Sequence, residues 1–430
     1  MRTDRPATLL FLSLLCACAT ARAQDGVIAT WRGGAIGALS VTWDDNEPTQ
    51  FTSAVPLMNK YGIRATLFVI TDEVTNWDTV RMAAADGHEI ASHSVSHPRF
   101  DDIDSQTIEY ELRRSREIID SQIPAQKCVT HAYPWCQYRN AESLARLYYI
   151  AARGCGAGMA LDTGQSVEDT TPGNMFNVQA THLDRQGDEA TALIMNRMVD
   201  NLIARRGWLV ELHHGIDSMG YMWSYSDTFE LHLKYMAARK KDVYIAPFGE
   251  VARYVLERNC AAVALVAQSD TQKVYRLTDT LSDSSIFNTP LTVKIALPSA
   301  WPFGIAVQDG DTMNCRLSGD TLMFDAVPDG GDVVVTKSNV AIRISDGTAH
   351  NPPVACFGAP PRLRFSGSMF VEEAAILTPS GKTVAVFARD RRFGPSETVA
   401  LGGFLKGTGV YVVRIRSPRG RWMKKLSYLR

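Results

Sequence analysis

Within residues 27–259, short apolar runs alternate with longer segments of helical periodicity, and this alternation limits the fold more than any other feature of the chain. Residues 38–43, 65–70, 89–92, 128–133, 148–153, 177–181 and 208–213 read as strands. Residues 105–123 read as the clearest helix, with Ile108, Leu112, Ser115 and Ile119 on one face. Residues 189–205, 226–239 and 249–258 follow the same pattern. Strands alternating with helices predict an α/β architecture built on a parallel sheet or barrel.

The pattern changes after Cys260. Runs such as VALVAQ, KVYRLTD, LTVKIAL and DVVVTK, separated by Asp, Gly, Ser and Pro, predict a small β-sandwich over 261–338. HNPPVACFGAPPR places a Pro-rich linker over 339–362, and residues 363–430 are β-rich again, with one hairpin turning at Ser380-Gly381 and another following GTGVYVVRI. The 430-residue length suits two or three domains. At the start, Arg2 and Arg5, an apolar stretch over 7–19 and Ala21-Arg22-Ala23 form the pattern of an export signal. It covers 1–23 and leaves a barrel domain over 24–260. A lipoprotein box with acylation of Cys18 is the alternative. No later segment is apolar enough over a sufficient length to span a bilayer. A formal net charge of −1 gives no footprint for nucleic acid or an anionic membrane, and a neutral partner fits better. The six cysteines after Ala23 are too widely spaced for a zinc cluster.

Two motifs carry chemistry. SVTWDDNEP sets Asp44 and Asp45 at the end of an apolar run, and SHSVSHP sets His93 and His97 four residues apart just past another. At the C-terminal ends of parallel strands both carboxylates can reach one cavity. In a helical turn, the two histidines share a face and suit one metal. Two imidazoles and a carboxylate leave a divalent ion with open positions, which is a catalytic arrangement, and the second carboxylate is then placed to take a proton from water. Either motif alone is more often a solvated surface; both at strand ends point to a site.

TWDD, HSVSHP, AYPWCQYRN, LVELHHGID and PFGEVARYV occur in the order found in the polysaccharide deacetylase (NodB-homology) family, carbohydrate esterase family 4, and residues 27–259 resemble it. The resemblance implies a distorted (β/α) barrel that removes acetyl groups from carbohydrates with a divalent metal, zinc first, cobalt or nickel otherwise. It makes Asp44 the catalytic base, Asp45, His93 and His97 the metal ligands, and His214 rather than His213 the general acid. Pro134 and Trp135 would line the substrate groove, with the Trp135 N–H at the oxyanion. The chain departs from the family at Ala132, where many relatives carry an arginine that tunes the base; Arg153 is the candidate substitute. The fourth family motif has no clear counterpart, Asp162 and Asp184 being the nearest candidates. Cys136 stands where relatives often have Gly, and Cys155 follows the next predicted strand. A disulfide between them is one expectation, free thiols the other. Tyr221, Trp223, Tyr225 and Phe229 are candidates for sugar stacking or for plain packing, and His131 is the remaining histidine nearest the AYPW motif. The last 65 or so residues resemble the C-terminal sorting domains of type IX-like secretion substrates, implying outer-membrane secretion machinery as a partner and a secreted or cell-surface location. The expected function is hydrolysis of acetyl groups from acetylxylan, chitin or peptidoglycan. The alternative is an inactive carbohydrate-binding or surface-display protein on the same barrel.

Overall fold

The computed structural model describes residues 25–155, 167–183 and 191–338, and seven shorter segments between 354 and 428. The expected export signal with Cys18 and the candidates Asp162 and Asp184 lie outside the described residues.

Seven parallel strands form the first unit: β1 (Gly37–Trp43), β2 (Thr66–Val69), β3 (Glu89–Ser92), β4 (Thr130–Ala132), β5 (Ala151–Arg153), β6 (Trp208–His213) and β7 (Val243–Ile245). Their order is β5-β4-β3-β2-β1-β6, and β7 runs along Gly37–Leu39 of β1 while β2 pairs with Thr42 and Trp43. The sheet is curled. Residues 178–183 bond to both of its ends: Gly154 N–H donates to Val178 O at 2.9 Å, and Leu183 N–H donates to Leu212 O at 3.1 Å. The strand expected over 177–181 is therefore broken into a single bridge, Arg153 to Val178, and a two-residue strand, Thr181–His182, beside Glu211 and Leu212.

The strands read as continuous apolar runs because both faces are buried. Alternate residues serve different layers. Phe68, Ala91, Ala132, Trp208, Val210, Leu212 and Phe248 pack inside the curl. Leu39, Val41, Trp43, Leu67 and Val69 point outward beneath the helices, against Leu112, Met195, Met198 and Leu233. The helix Ser105–Gln122 shows the logic. Asp104 caps it by accepting from Thr107 N–H at 2.8 Å, and Ile108, Leu112 and Ile119 are buried, each contributing roughly 1.5–3 kcal/mol. The helix Trp77–Ala85, capped by Asn76, escaped the periodicity reading because its nine residues bury only Val80 and Ala83.

Residues 261–338 form two antiparallel sheets around a shared apolar core that includes Tyr275, Leu291, Val293, Trp301, Phe324 and Val335. The strand Gly26–Ile28 joins one of these sheets by pairing with Leu291–Ala296, so the residues that open the expected 24–260 domain belong in part to this second unit. That pairing spans over 260 positions, which local pattern does not reveal. In the C-terminal part, Val354–Phe357 pairs with Arg362–Phe365. Of the linker expected over 339–362, residues 339–353 and 358–361 lie outside the described residues. A four-stranded antiparallel sheet follows, ordered Thr383–Phe393, Met369–Leu377, Gly409–Ser417, Gly420–Tyr428. Among the described residues no helix is long and apolar enough to cross a membrane.

Candidate active site

Asp44 and Asp45 follow β1, His93 follows β3, Pro134 follows β4, Arg153 ends β5 and His214 follows β6. Parallel strands in one sheet present their C-terminal ends to one rim, so chain direction alone gathers these six residues. The backbone turns sharply where they sit. Asp45 and Asn46 have φ of 71° and 41°, His97 56°, Trp135 56° and Cys136 62°. Left-handed conformations of this kind are costly for most side chains and persist where surrounding structure enforces them.

Asp45 Oδ1 lies 3.4 Å from His93 Nε2 and 3.6 Å from His97 Nε2. Ligand atoms of these three residues all fall within 4.8 Å of one another. Donors sharing a tetrahedral ion stand about 3.3–3.5 Å apart for metal–ligand bonds of about 2.0–2.2 Å, so the set fits a divalent metal. Asp45 Oδ1 is also buried without a hydrogen-bond partner, as expected of a ligand oxygen. The His93 Nδ1–H donates to Ala132 O at 2.8 Å, which leaves the Nε2 lone pair facing Asp45. Burial, reinforced by the neighbouring His93, pushes His97 down to about 4 and keeps its imidazole neutral. Burial works against ionisation of Asp45, but the neighbouring imidazoles, His93 first, outweigh it and hold the carboxyl well below the usual range.

The helical turn expected at His93 and His97 is absent. Ser94 and His97 are both left-handed, and the loop is shaped by other residues. Ser94 Oγ accepts from His97 N–H at 2.9 Å, while the buried Glu111 accepts from Val95 N–H, Ser96 N–H and Ser96 Oγ at 2.7, 2.9 and 2.8 Å. The histidines meet because Glu111, on the helix beneath, clamps the intervening residues.

Asp44 is 3 % exposed and forms a buried ion pair with Arg153, itself 1 % exposed. Arg153 stands beside Ala132 in the β4–β5 register. The guanidinium thus comes from the strand next to the one that carries Ala132. His214 is nearly buried, and its Nε2 lies 4.0 Å from Asp45 Oδ2. The alternation of β6 separates it from His213, which points outward, stacks on Trp43 at 4.8 Å and sits 3.6 Å from Glu211. Glu211 accepts from the His232 ring at 2.9 Å and, despite burial, is drawn down to about 2 by His232 and His213.

Sequence reading missed Gln50. It is fully buried, and its amide donates to Asp44 O and, at 2.8 Å, to His214 O. It opens a five-residue π-helical segment, Gln50–Ala54, a geometry often found at functional sites. A lone Gln in a polar stretch carries no sequence signal for this.

Pro134 is buried, whereas Trp135 is 52 % exposed. The Trp135 indole N–H donates to His97 O at 3.2 Å, and Arg99 lies 4.1 Å over its ring. Cys136 and Cys155 are joined by a disulfide, with Cα atoms 5.3 Å apart, linking the segments after β4 and β5. Of the aromatic candidates, Phe229 is core, packed on Trp43 and His213. Tyr221 is 62 % exposed, with its ring 5.1 Å from and edge-on to His214. His131 faces away, buried between Phe100 and Tyr149, and burial drives it well below the usual imidazole range.

Residues 34–147 match the family described as polysaccharide deacetylase. The match contains both aspartates, His93, His97 and the Pro134–Cys136 turn, and stops before Arg153 and His214. A gellan lyase of a Bacillus species is 28 % identical over 361 residues, covering 79 % of this chain and 14 % of its own length. A chitooligosaccharide deacetylase of Rhizobium leguminosarum bv. trifolii is 33 % identical over 108 residues, covering 25 % of this chain and 49 % of its own. Among solved structures, the CE4 domain of a multidomain xylanase from the hindgut metagenome of Trinervitermes trinervoides aligns with a TM-score of 0.36 at 14 % identity, covering 50 % of this chain and 89 % of that one. The chain spans less than half the length of these two curated relatives.

Proposed function

We propose that this chain, whose residues 34–147 match the polysaccharide deacetylase family, hydrolyses acetyl groups on an acetylated polysaccharide at a divalent-metal centre held by Asp45, His93 and His97. One observation carries the reading: the buried, unpartnered Asp45 Oδ1 faces two imidazole nitrogens at 3.4 and 3.6 Å, with the carboxylate of Asp44 alongside. A binding protein has no use for a base beside such a centre.

A divalent ion at this position polarises the acetyl carbonyl and favours ionisation of water. The residues supply the rest. Asp44, ion-paired with Arg153, accepts the proton of the attacking water. His214 donates a proton to the leaving sugar oxygen or nitrogen. The Trp135 backbone N–H helps hold the oxyanion. Gln50 ties the backbones of base and acid together, so that both address one carbonyl. Acetate and a free hydroxyl or amine are released. Acetylxylan, chitin and peptidoglycan are the substrate classes, and zinc is the metal, with cobalt or nickel as substitutes. The same proposal places the protein outside the cell or on its surface, on the strength of the signal-like residues 1–23 and the sorting-like C-terminal part.

The test is acetate release from acetylxylan, chitin oligomers and peptidoglycan, by protein that has been chelated and then resupplied with zinc. Zinc-restored release on one of them supports the reading. Metal uptake with no acetate from any of them makes the barrel a binding module.

A further inference from the structure

The near-zero net charge conceals a strong asymmetry. Residues 354–430 carry 14 Lys and Arg against four Asp and Glu, whereas residues 1–353 carry 31 against 42. A surplus of ten positive charges over so short a segment exceeds the magnitude of about 2–8 usual for a small soluble domain.

The surplus has a defined place. In the four-stranded C-terminal sheet, Glu373 stands opposite Arg389 on one side and Arg416 on the other, and cross-strand partners share a face. Arg414 and Arg416 reach Glu373 at 2.6 and 2.7 Å and Arg389 at 3.7 Å, so three guanidinium groups converge on one carboxylate. Arg391, two residues from Arg389, pairs with Glu397 at 2.6 Å, and Arg421 lies opposite Arg416 in the register of the outer strand. The side chains of Arg389, Arg391 and Arg416 are 69, 56 and 50 % exposed. Among the described residues of this unit the exposed large apolar side chain is Phe370, on the opposite face. A membrane would need apolar side chains inserting beside the charges, and single-stranded nucleic acid would need exposed aromatics for stacking. Among the described side chains, the basic face offers neither. It offers Arg forks, which match carboxylates in a bidentate way, and Glu373 already shows a carboxylate seated among them.

We infer that this arginine face binds an acidic polysaccharide through its carboxylates, tethering the chain to a polyanionic matrix. The inference does not depend on the barrel being active, because it is read as binding. The experiment uses the full chain, polygalacturonate as probe, neutral xylan and anionic phospholipid vesicles as comparisons, and sedimentation as readout. Polygalacturonate is expected to bind and xylan not, with affinity falling about ten-fold or more between about 50 and about 200 mM salt. Arg389→Gln/Arg391→Gln/Arg416→Gln, which leaves Arg414 to pair Glu373, should weaken binding at least about ten-fold while circular dichroism is unchanged. Glu373→Gln releases the converging guanidinium groups and should tighten binding, a gain that a purely structural role for the cluster does not produce. Binding of vesicles but not polygalacturonate, equal binding of xylan, or an unaltered triple variant would overturn the inference.

Discussion

Arg153→Leu is the substitution that most sharply separates a compensated base from an incidental ion pair. The Arg153 side chain is 0 % exposed and that of Asp44 5 %, and the two are in contact. Leucine keeps apolar volume but leaves the Asp44 carboxylate buried beside Asp45 with no cation against it, and removes the Arg153 bond to Gly154 O at 3.1 Å. Stripping one partner from a buried pair costs about 3–5 kcal/mol, because the remaining charge is neither hydrated nor paired. Asp44→Asn combined with Arg153→Leu removes both charges and should recover more than half of that loss, since replacing a whole pair is often close to neutral. The assay is urea unfolding of chelated protein followed by tryptophan fluorescence; six of the eight tryptophans lie before residue 261 and report mainly on the barrel. With a slope of about 3 kcal/mol per molar urea, the single variant should lose about 1–1.7 M in midpoint. A loss below about 1 kcal/mol, or a double variant no more stable than the single one, would refute Arg153 as the compensating charge.

Other consequences are open to direct measurement. Gln50→Met should lower kcat about 10- to 100-fold with KM nearly unchanged, because base and acid lose their common anchor while the groove is intact; a rise in KM alone would contradict this. Reducing the Cys136–Cys155 bond, which closes a loop with a sequence separation of 19, should cost roughly 3 kcal/mol of barrel stability by urea midpoint. Glu257 is pushed up to about 7, chiefly by burial, although it accepts from Thr289 N–H. Its folded value lies above its unfolded one, so its contribution is fully present below about pH 4.5 and is lost as pH rises through about 7. The thermal midpoint of the wild type should therefore fall more between about pH 5 and about pH 8 than that of Glu257→Gln.

Parts of the molecule are legible from sequence for physical reasons. Parallel strands buried on both faces are rich in apolar residues, so β1, β2 and β6 stand out, and Asp44, Asp45 and His93, just past strand ends, share a rim by chain direction alone. Strand alternation lets only one of His213 and His214 face the pocket, and the choice of His214 rests on the family resemblance. Other features depend on contacts between distant positions. Gly26–Ile28 leaves the barrel to pair near residue 293, and residues 178–183 complete the curl with almost no regular strand. The loop that brings His97 to His93 is set by Glu111 rather than by helical spacing. Gln50 has meaning only once the ends of β1 and β6 are adjacent. The charge asymmetry was readable throughout, but the sum over the chain hid it.

The central claim is that Asp44 acts as a base beside a metal held by Asp45, His93 and His97. The direct measurement is acetate release by Asp44→Asn, compared with wild type at equal, verified zinc content on the substrate that the wild type prefers. The account predicts full zinc occupancy with turnover reduced by at least about 100-fold. Wild-type turnover in zinc-loaded Asp44→Asn would contradict it.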